Sequence, residues 1–167
     1  MEHIWAPWRM EYVGGLAGKG KACFLCEALA GDDDAGSLVL RRGERCFVIV
    51  NRYPYNNGHL MVAVNRHEGD LAALTEEETS EMMRLAREGQ RALSEEIRPH
   101  GFNIGINVGR TAGAGVADHL HLHVVPRWDG DTNFMATVGR TRVISQSLED
   151  LYAKLKPRFE GVGGAGR

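Results

Sequence analysis

The spacing of hydrophobic and polar positions changes several times along the chain, and each change predicts an element. Between residues 75 and 97, Met82, Ala86, Gly89, Leu93 and Ile97 recur on one face at helical spacing, with charged residues between them. Thr75 followed by Glu78 has the form of a capping box, and Pro99 with Gly101 ends the pattern, so this is the clearest helix. Glu81 with Arg84 and Arg91 with Glu95 are helix-spaced charge pairs on its solvated face. Apolar runs predict strands at Leu38–Leu40 and Cys46–Val50 around a turn at Arg42-Gly43, and at His59–Val64 after the turn Tyr53-Pro54-Tyr55-Asn56-Asn57-Gly58. Phe102–Val108 and the run from His119 to Pro126 read as an antiparallel pair joined by a Gly-rich loop. Cys23–Leu29 predicts a short helix closed by Gly31, and Ser147 through Leu155 a second amphipathic helix ended by Pro157. Arg142-Val143-Ile144 reads as an edge strand and Asp32-Asp33-Asp34 as a solvated turn.

Strands and helices do not alternate strictly, which favours an α+β fold: an antiparallel five-stranded sheet with one long and one C-terminal helix. Residues 23–160 are expected to form one domain. Residues 1–22, with Trp5, Trp8 and Tyr12, are expected to dock as an aromatic segment that caps a core or a dimer contact, or that lends a ring to a base. The tail 161–167 is expected to be disordered.

Composition refines this little. A chain of 167 residues, 43% hydrophobic and 25% charged, is an ordinary soluble domain with a core large enough to fold without staples. The formal net charge of -2 offers no general attraction for nucleic acid, so any anion must be held by a local gathering of cations and backbone N–H groups. No apolar run approaches about 18 residues, and the start lacks a basic-then-apolar leader, so neither a membrane nor export is expected and a cytoplasmic location is the expectation. Three cysteines then argue against a disulfide framework. Cys46 sits in an aliphatic run and reads as core.

Folding alone does not explain His119-Leu120-His121-Leu122-His123-Val124-Val125. On a strand, Leu120, Leu122 and Val124 face a core and the three imidazoles line the other face, spaced by about 6.6 Å. Neutral imidazole is both a nucleophile toward phosphorus and a metal ligand, and the spacing does not choose between them. The neighbouring Gly105, Gly109, Gly113 and Gly115, with Asn107 among them, let backbone N–H groups approach an anion, although no Walker sequence is present. Beside three histidines, this loop reads as a phosphate cradle. Cys23 and Cys26 have the spacing of two tetrahedral metal ligands, and the seven histidines are the available soft partners; incidental helical thiols and redox chemistry are the alternatives.

These residues carry a resemblance. The run from His119 to Val125 resembles the histidine triad signature, and Asn51 to Val62 resembles that family's upstream Pro-x3-Gly-His segment. Trp5-Ala6-Pro7-Trp8-Arg9-Met10, Ala112-Gly113-Ala114-Gly115, and Pro126-Arg127-Trp128 followed by Gly130 to Met135 are similar to the bacterial diadenosine tetraphosphate phosphorylase branch.

The resemblance implies a homodimer whose sheets join into one, with nucleotidyl transfer or hydrolysis as its chemistry. His121 would attack the α-phosphorus of a nucleoside polyphosphate and carry the nucleotide covalently. His123 would meet the phosphoryl oxygens or leaving group, His119 and His59 would position the array, and Asn51 and Asn107 would stand where the family holds ribose and phosphate. In zinc-containing members the corresponding ligands match Cys23, Cys26, His67 and His119, a closed structural site; no organic cofactor is implied. Gly115 stands where many members carry glutamine, a feature of the phosphorylase branch that favours inorganic phosphate over water as the second acceptor. Together the two readings make Asn51, His59, Asn107, Gly113 and Gly115 substrate-binding candidates. The alternatives are a hydrolase of nucleoside phosphoramidates or dinucleoside polyphosphates, a nucleotide-binding protein with negligible turnover, and a catalytic metal on the three histidines.

Overall fold

The computed structural model describes residues 23–131 and 146–160. The aromatic segment with Trp5, Trp8 and Tyr12, the strand expected at Arg142-Val143-Ile144, and the tail 161–167 lie outside those residues.

The elements run α1 (Phe24–Ala30), α2 (Asp34–Ser37), β1 (Val39–Arg42), β2 (Cys46–Val50), β3 (Leu60–Val64), a 3-10 turn (Leu71–Ala73), α3 (Glu76–Ile97), β4 (Gly101–Ile106), β5 (His121–Arg127) and α4 (Leu148–Glu160). The expected α+β fold is the one observed: five antiparallel strands in the order β1-β2-β3-β5-β4. Strands β1 to β3 are neighbours in sequence and pair through turns. Helix α3 then lies across β2, β3 and β5, delivering the chain to the far edge, and β5 returns between β3 and β4. The strand that carries the histidines is thus hydrogen-bonded on both sides, by Met61↔His123 and Gly105↔His123 among other pairs.

Helix α3 forms as its sequence dictates. Thr75 Oγ1 accepts from the Glu78 N–H at 3.2 Å, and Glu78 Oε2 accepts from the Thr75 N–H at 2.9 Å, closing the capping box. Met82, Leu85, Ala86, Gly89, Ala92 and Leu93 form its buried stripe. At Gly89 a Cβ would come within 3.3 Å of the Leu60 side chain, so the missing side chain lets helix and sheet approach closely. Cys46 is fully buried in this core, as expected.

Four local expectations are corrected. Helix α4 continues through Pro157 to Glu160. Proline costs a backbone hydrogen bond there, but Phe159 is buried in the core and its carbonyl accepts from Arg41 Nη1 at 2.7 Å, which holds the last turn in place. Glu95 makes its ion pair with Arg158 of α4 at 2.9 Å rather than with Arg91, because the two helices pack side by side. The aspartate triplet is more than a solvated turn: Asp33 caps α2 through the Gly36 N–H, and Asp34 pairs with Arg42 at 2.8 Å and Lys156 at 3.3 Å. Finally, β5 begins at His121, so His119 precedes the strand instead of sharing its face.

Candidate active site

Four of the histidines are buried: His59, His119, His121 and His123. An isolated buried imidazole is stable only in its neutral form, and in that form each ring nitrogen is either a donor or an acceptor. The backbone decides which. His121 Nδ1 lies 2.8 Å from the His119 carbonyl oxygen, which can only accept, so Nδ1 carries the proton and Nε2 keeps its lone pair. Burial lowers the His121 pKa below its usual 6.5, outweighing the opposing hydrogen bond to the His119 carbonyl, and so favours this neutral nucleophile.

His123 receives the opposite assignment. The Tyr55 N–H donates to His59 Nδ1 at 3.0 Å, so His59 holds its proton on Nε2. That atom donates to His123 Nδ1 at 2.9 Å, which leaves His123 with a proton on Nε2. The His121 and His123 rings meet edge to face with centroids 4.9 Å apart. One protein surface thus presents a lone pair and an N–H side by side. The Tyr55 ring lies 4.6 Å from that of His59 and 5.4 Å from that of His123, packing over the relay. Across from His123, a Cβ on Gly105 would touch nothing within 4 Å, so space is open on that side.

His119 belongs to a second constellation. Its Nε2 donates to the Val64 carbonyl at 2.7 Å, turning the Nδ1 lone pair toward Cys23 Sγ at 3.3 Å and Cys26 Sγ at 3.4 Å. His67 Nδ1 stands 3.3 Å from Cys26 Sγ, and its ring meets that of His119 edge-on at 5.3 Å. One ligand atom from each of Cys23, Cys26, His67 and His119 lies within 4.8 Å of all the others. This two-sulfur, two-nitrogen set suits a tetrahedral divalent metal, and the Val64 carbonyl supplies the outer hydrogen bond that such ligating histidines use. Burial raises the Cys23 thiol, yet the contact with His119 and hydrogen bonds from the Cys26 and Leu25 amides bring its pKa down to about 6. Burial and the adjacent Cys23 raise that of Cys26.

The remaining candidates sit around this core. Asn51 is buried; its Oδ1 accepts from the Tyr53 N–H at 2.9 Å and its Nδ2 donates to His59 Nδ1 at 3.2 Å, so its carboxamide faces the relay. Asn107 lies 3.5 Å from His123 Nε2. Since Nε2 carries a proton, the carboxamide oxygen is the end that fits there. Gly113 and Gly115 lie half-buried in the loop between β4 and β5; the Gly113 N–H donates to the Arg110 carbonyl at 2.9 Å, within the loop itself. Sequence reasoning missed Tyr55 and the Val64 carbonyl, because a backbone group carries no residue signature. Only the position of Tyr55 four residues before His59 could have hinted at its role.

This fold and site define a histidine triad protein. The HIT domain family model matches residues 34–130, and the chain belongs to that family. It is 40% identical to the AP-4-A phosphorylase of Mycobacterium tuberculosis over 157 residues, covering 90% of this chain and 80% of the relative. Among solved structures it resembles a zinc-bound histidine triad family protein from Mycobacterium smegmatis, at a TM-score of 0.69 and 27% identity over 87% of this chain and 98% of that one. A histidine triad nucleotide-binding protein from Sulfolobus tokodaii shares the fold at a TM-score of 0.67 and 21% identity, over 87% of this chain and 99% of that one.

Proposed function

We propose that the protein cleaves diadenosine tetraphosphate with inorganic phosphate to give ATP and ADP, through a nucleotide held covalently on His121. The observation that carries this reading is the unprotonated Nε2 of His121, set by the His119 carbonyl, next to the protonated Nε2 of His123, set by the His59 ring. In the first step His121 Nε2 bonds to an α-phosphorus, the bond from that phosphorus to the bridging oxygen breaks, and ATP leaves with the proton of His123. An oxygen of inorganic phosphate then bonds to the same phosphorus, the bond from that phosphorus to His121 Nε2 breaks, a phosphate proton returns to His123, and ADP leaves. Two easier displacements replace one hard one. Asn107 would orient His123 and a phosphoryl oxygen, Asn51 would serve the ribose and relay side, and Gly113 and Gly115 would line the space taken by phosphate. The kinship with a protein named AP-4-A phosphorylase supports phosphate as the acceptor.

We assign the Cys23, Cys26, His67 and His119 cluster to structural zinc, which would neutralise the two thiolates and hold the ring of His119 in place. No organic cofactor is needed. The β4 edge, where Ile104 is 44% exposed, is assigned to a second copy, whose β4 would extend the sheet across a two-fold axis. Among the described residues no helix is long and apolar enough to cross a membrane. Free cysteines fit a reducing, cytoplasmic setting.

The deciding experiment incubates the protein with diadenosine tetraphosphate, with and without inorganic phosphate, and separates the products. Phosphate-dependent formation of ATP and ADP is expected. ATP and AMP formed independently of phosphate would instead make the protein a hydrolase, and nucleotide binding without turnover would make it a binding protein.

A further inference from the structure

Of the four residues in the cysteine–histidine cluster, His67 is the one the sheet does not place. Cys23 and Cys26 belong to the start of α1, and His119 is buried and pinned to the Val64 carbonyl. His67 is exposed and lies in an irregular segment three residues beyond the end of β3. Its neighbours are nonetheless tied down on both sides. Before it, Arg66 makes a two-pronged ion pair with Glu78, Nε to Oε1 at 2.7 Å and Nη2 to Oε2 at 3.0 Å. The same guanidinium donates to the Ala73 carbonyl at 2.7 Å and to Glu68 Oε2 at 3.1 Å. After it, the Glu68 carbonyl accepts from the Leu120 N–H at 2.6 Å, directly beside His119. Gly69 lies against Ala117 and Asp118 so closely that a Cβ there would stand 2.9 Å from the Asp118 Cα.

Glu78 is the unusual member. It is buried, and a buried carboxylate is tolerated only when paired and fully hydrogen-bonded. It serves twice, as the capping residue of α3 and as the anchor of Arg66. A capping box alone would satisfy the helix with an exposed glutamate. The fork geometry of arginine adds a directional link that fixes where residue 66, and so residue 67, leaves the sheet.

We propose that Arg66 and Glu78 are positioning residues for the metal cluster: the ion pair fastens the His67 segment to the N-terminus of the long helix, so that His67 is already in place to complete the four-ligand set. This rests on the metal reading given above. Because His119 is shared by the cluster and the histidine run, the long helix is thereby linked mechanically to the strand that carries His121.

The test uses the full chain loaded with zinc, titrated against a chromophoric chelator, and with cobalt as a spectroscopic substitute. Arg66→Ala and Glu78→Gln are each expected to weaken zinc binding by about 10- to 100-fold, the range found for outer hydrogen-bond partners of metal ligands. The double variant should be little worse than either single one, because both break the same link. In the cobalt forms the thiolate charge-transfer bands should persist while the visible d–d bands weaken, the signature of one imidazole replaced by water. Arg66→Lys, which keeps the charge without the fork, should recover only part of the affinity. Arg84→Ala, which removes two ion pairs on the same helix, with Glu81 and Glu88, that do not reach residue 67, should leave zinc affinity unchanged. If the wild type binds zinc tightly and Arg66→Ala and Glu78→Gln bind it equally well, even with lowered thermal stability, the positioning role is overturned while the metal site stands. A wild-type protein that takes up no zinc when reduced overturns both.

Discussion

His59 Nε2 lies 2.9 Å from His123 Nδ1, and through this contact the Tyr55 amide determines which nitrogen of His123 holds a proton. Breaking the relay should therefore affect chemistry more than binding. His59→Ala is expected to lower kcat by about 100-fold or more, the range of a lost proton-transfer arrangement, with nucleotide affinity by calorimetry nearly unchanged. An equal loss in affinity and turnover would instead assign His59 to substrate contact.

His121 has the only imidazole in the run whose Nε2 is left as a lone pair by a backbone carbonyl on Nδ1. His121→Ala should abolish turnover and keep nucleotide affinity. Rapid quenching of the wild type with diadenosine tetraphosphate, without inorganic phosphate, should trap one AMP on His121 by mass spectrometry. A substantial residual rate in the variant would remove His121 from the nucleophile role.

The same burial makes a prediction in pH. Because the pKa of His121 is lowered from 6.5, the nucleophile stays neutral into mildly acidic solution, and the acid limb of kcat/KM should fall below pH 6.5. Below 6.5 the unfolded chain takes up a proton at this position that the folded chain refuses, so its contribution to stability declines as pH drops through that range. Glu78 acts in the same direction at lower pH: its hydrogen bonds to Arg66 hold its pKa below 4.5, and that stabilisation is lost as pH falls through the lowered value. Chemical denaturation across pH, in wild type and in His121→Gln, separates the two contributions.

Removal of metal should be felt in stability. Free zinc at a thousand times its dissociation constant stabilises a folded protein by about 4 kcal/mol, which for a chain of this size corresponds to a rise in Tm of about 8–16 °C. Chelation under reducing conditions should lower Tm by that amount and zinc should restore it, while Cys26→Ser should abolish the response. An unchanged Tm with zinc content near zero would refute the assignment.

The exposed edge at β4 sets the last prediction. Ile104→Arg places a charge on the edge strand without disturbing buried contacts, and should convert a dimer to a monomer by light scattering. A wild type already monomeric at assay concentration would refute the extended sheet.

Much of this was legible in the residues. The capping box at Thr75 and Glu78, the apolar stripe of α3, the strand runs and the alternation around His121 are all local patterns, in which side-chain chemistry and the period of the backbone leave little choice. The ends of elements were less legible. Pro157 reads as a stop until Phe159 is seen buried in the core, and Glu95 reads as a partner of Arg91 until α4 is seen alongside. Both outcomes depend on packing between segments distant in sequence.

What the sequence determined by itself was the inventory: three alternating imidazoles, a pair of cysteines at metal spacing, a glycine-rich loop, and enough apolar residues in the right periods for an antiparallel α+β fold. The tertiary structure alone decided the division of labour among chemically identical rings. His119 lies ahead of β5, and the Val64 carbonyl turns its lone pair toward Cys23, Cys26 and His67. His121 meets the carbonyl of His119, and His123 meets the proton of His59. The physical reason is that an imidazole's role is set by its tautomer, and its tautomer by whether a donor or an acceptor lies opposite each nitrogen. Most of those partners are backbone groups, identical in every residue, whose positions exist only once the sheet has formed.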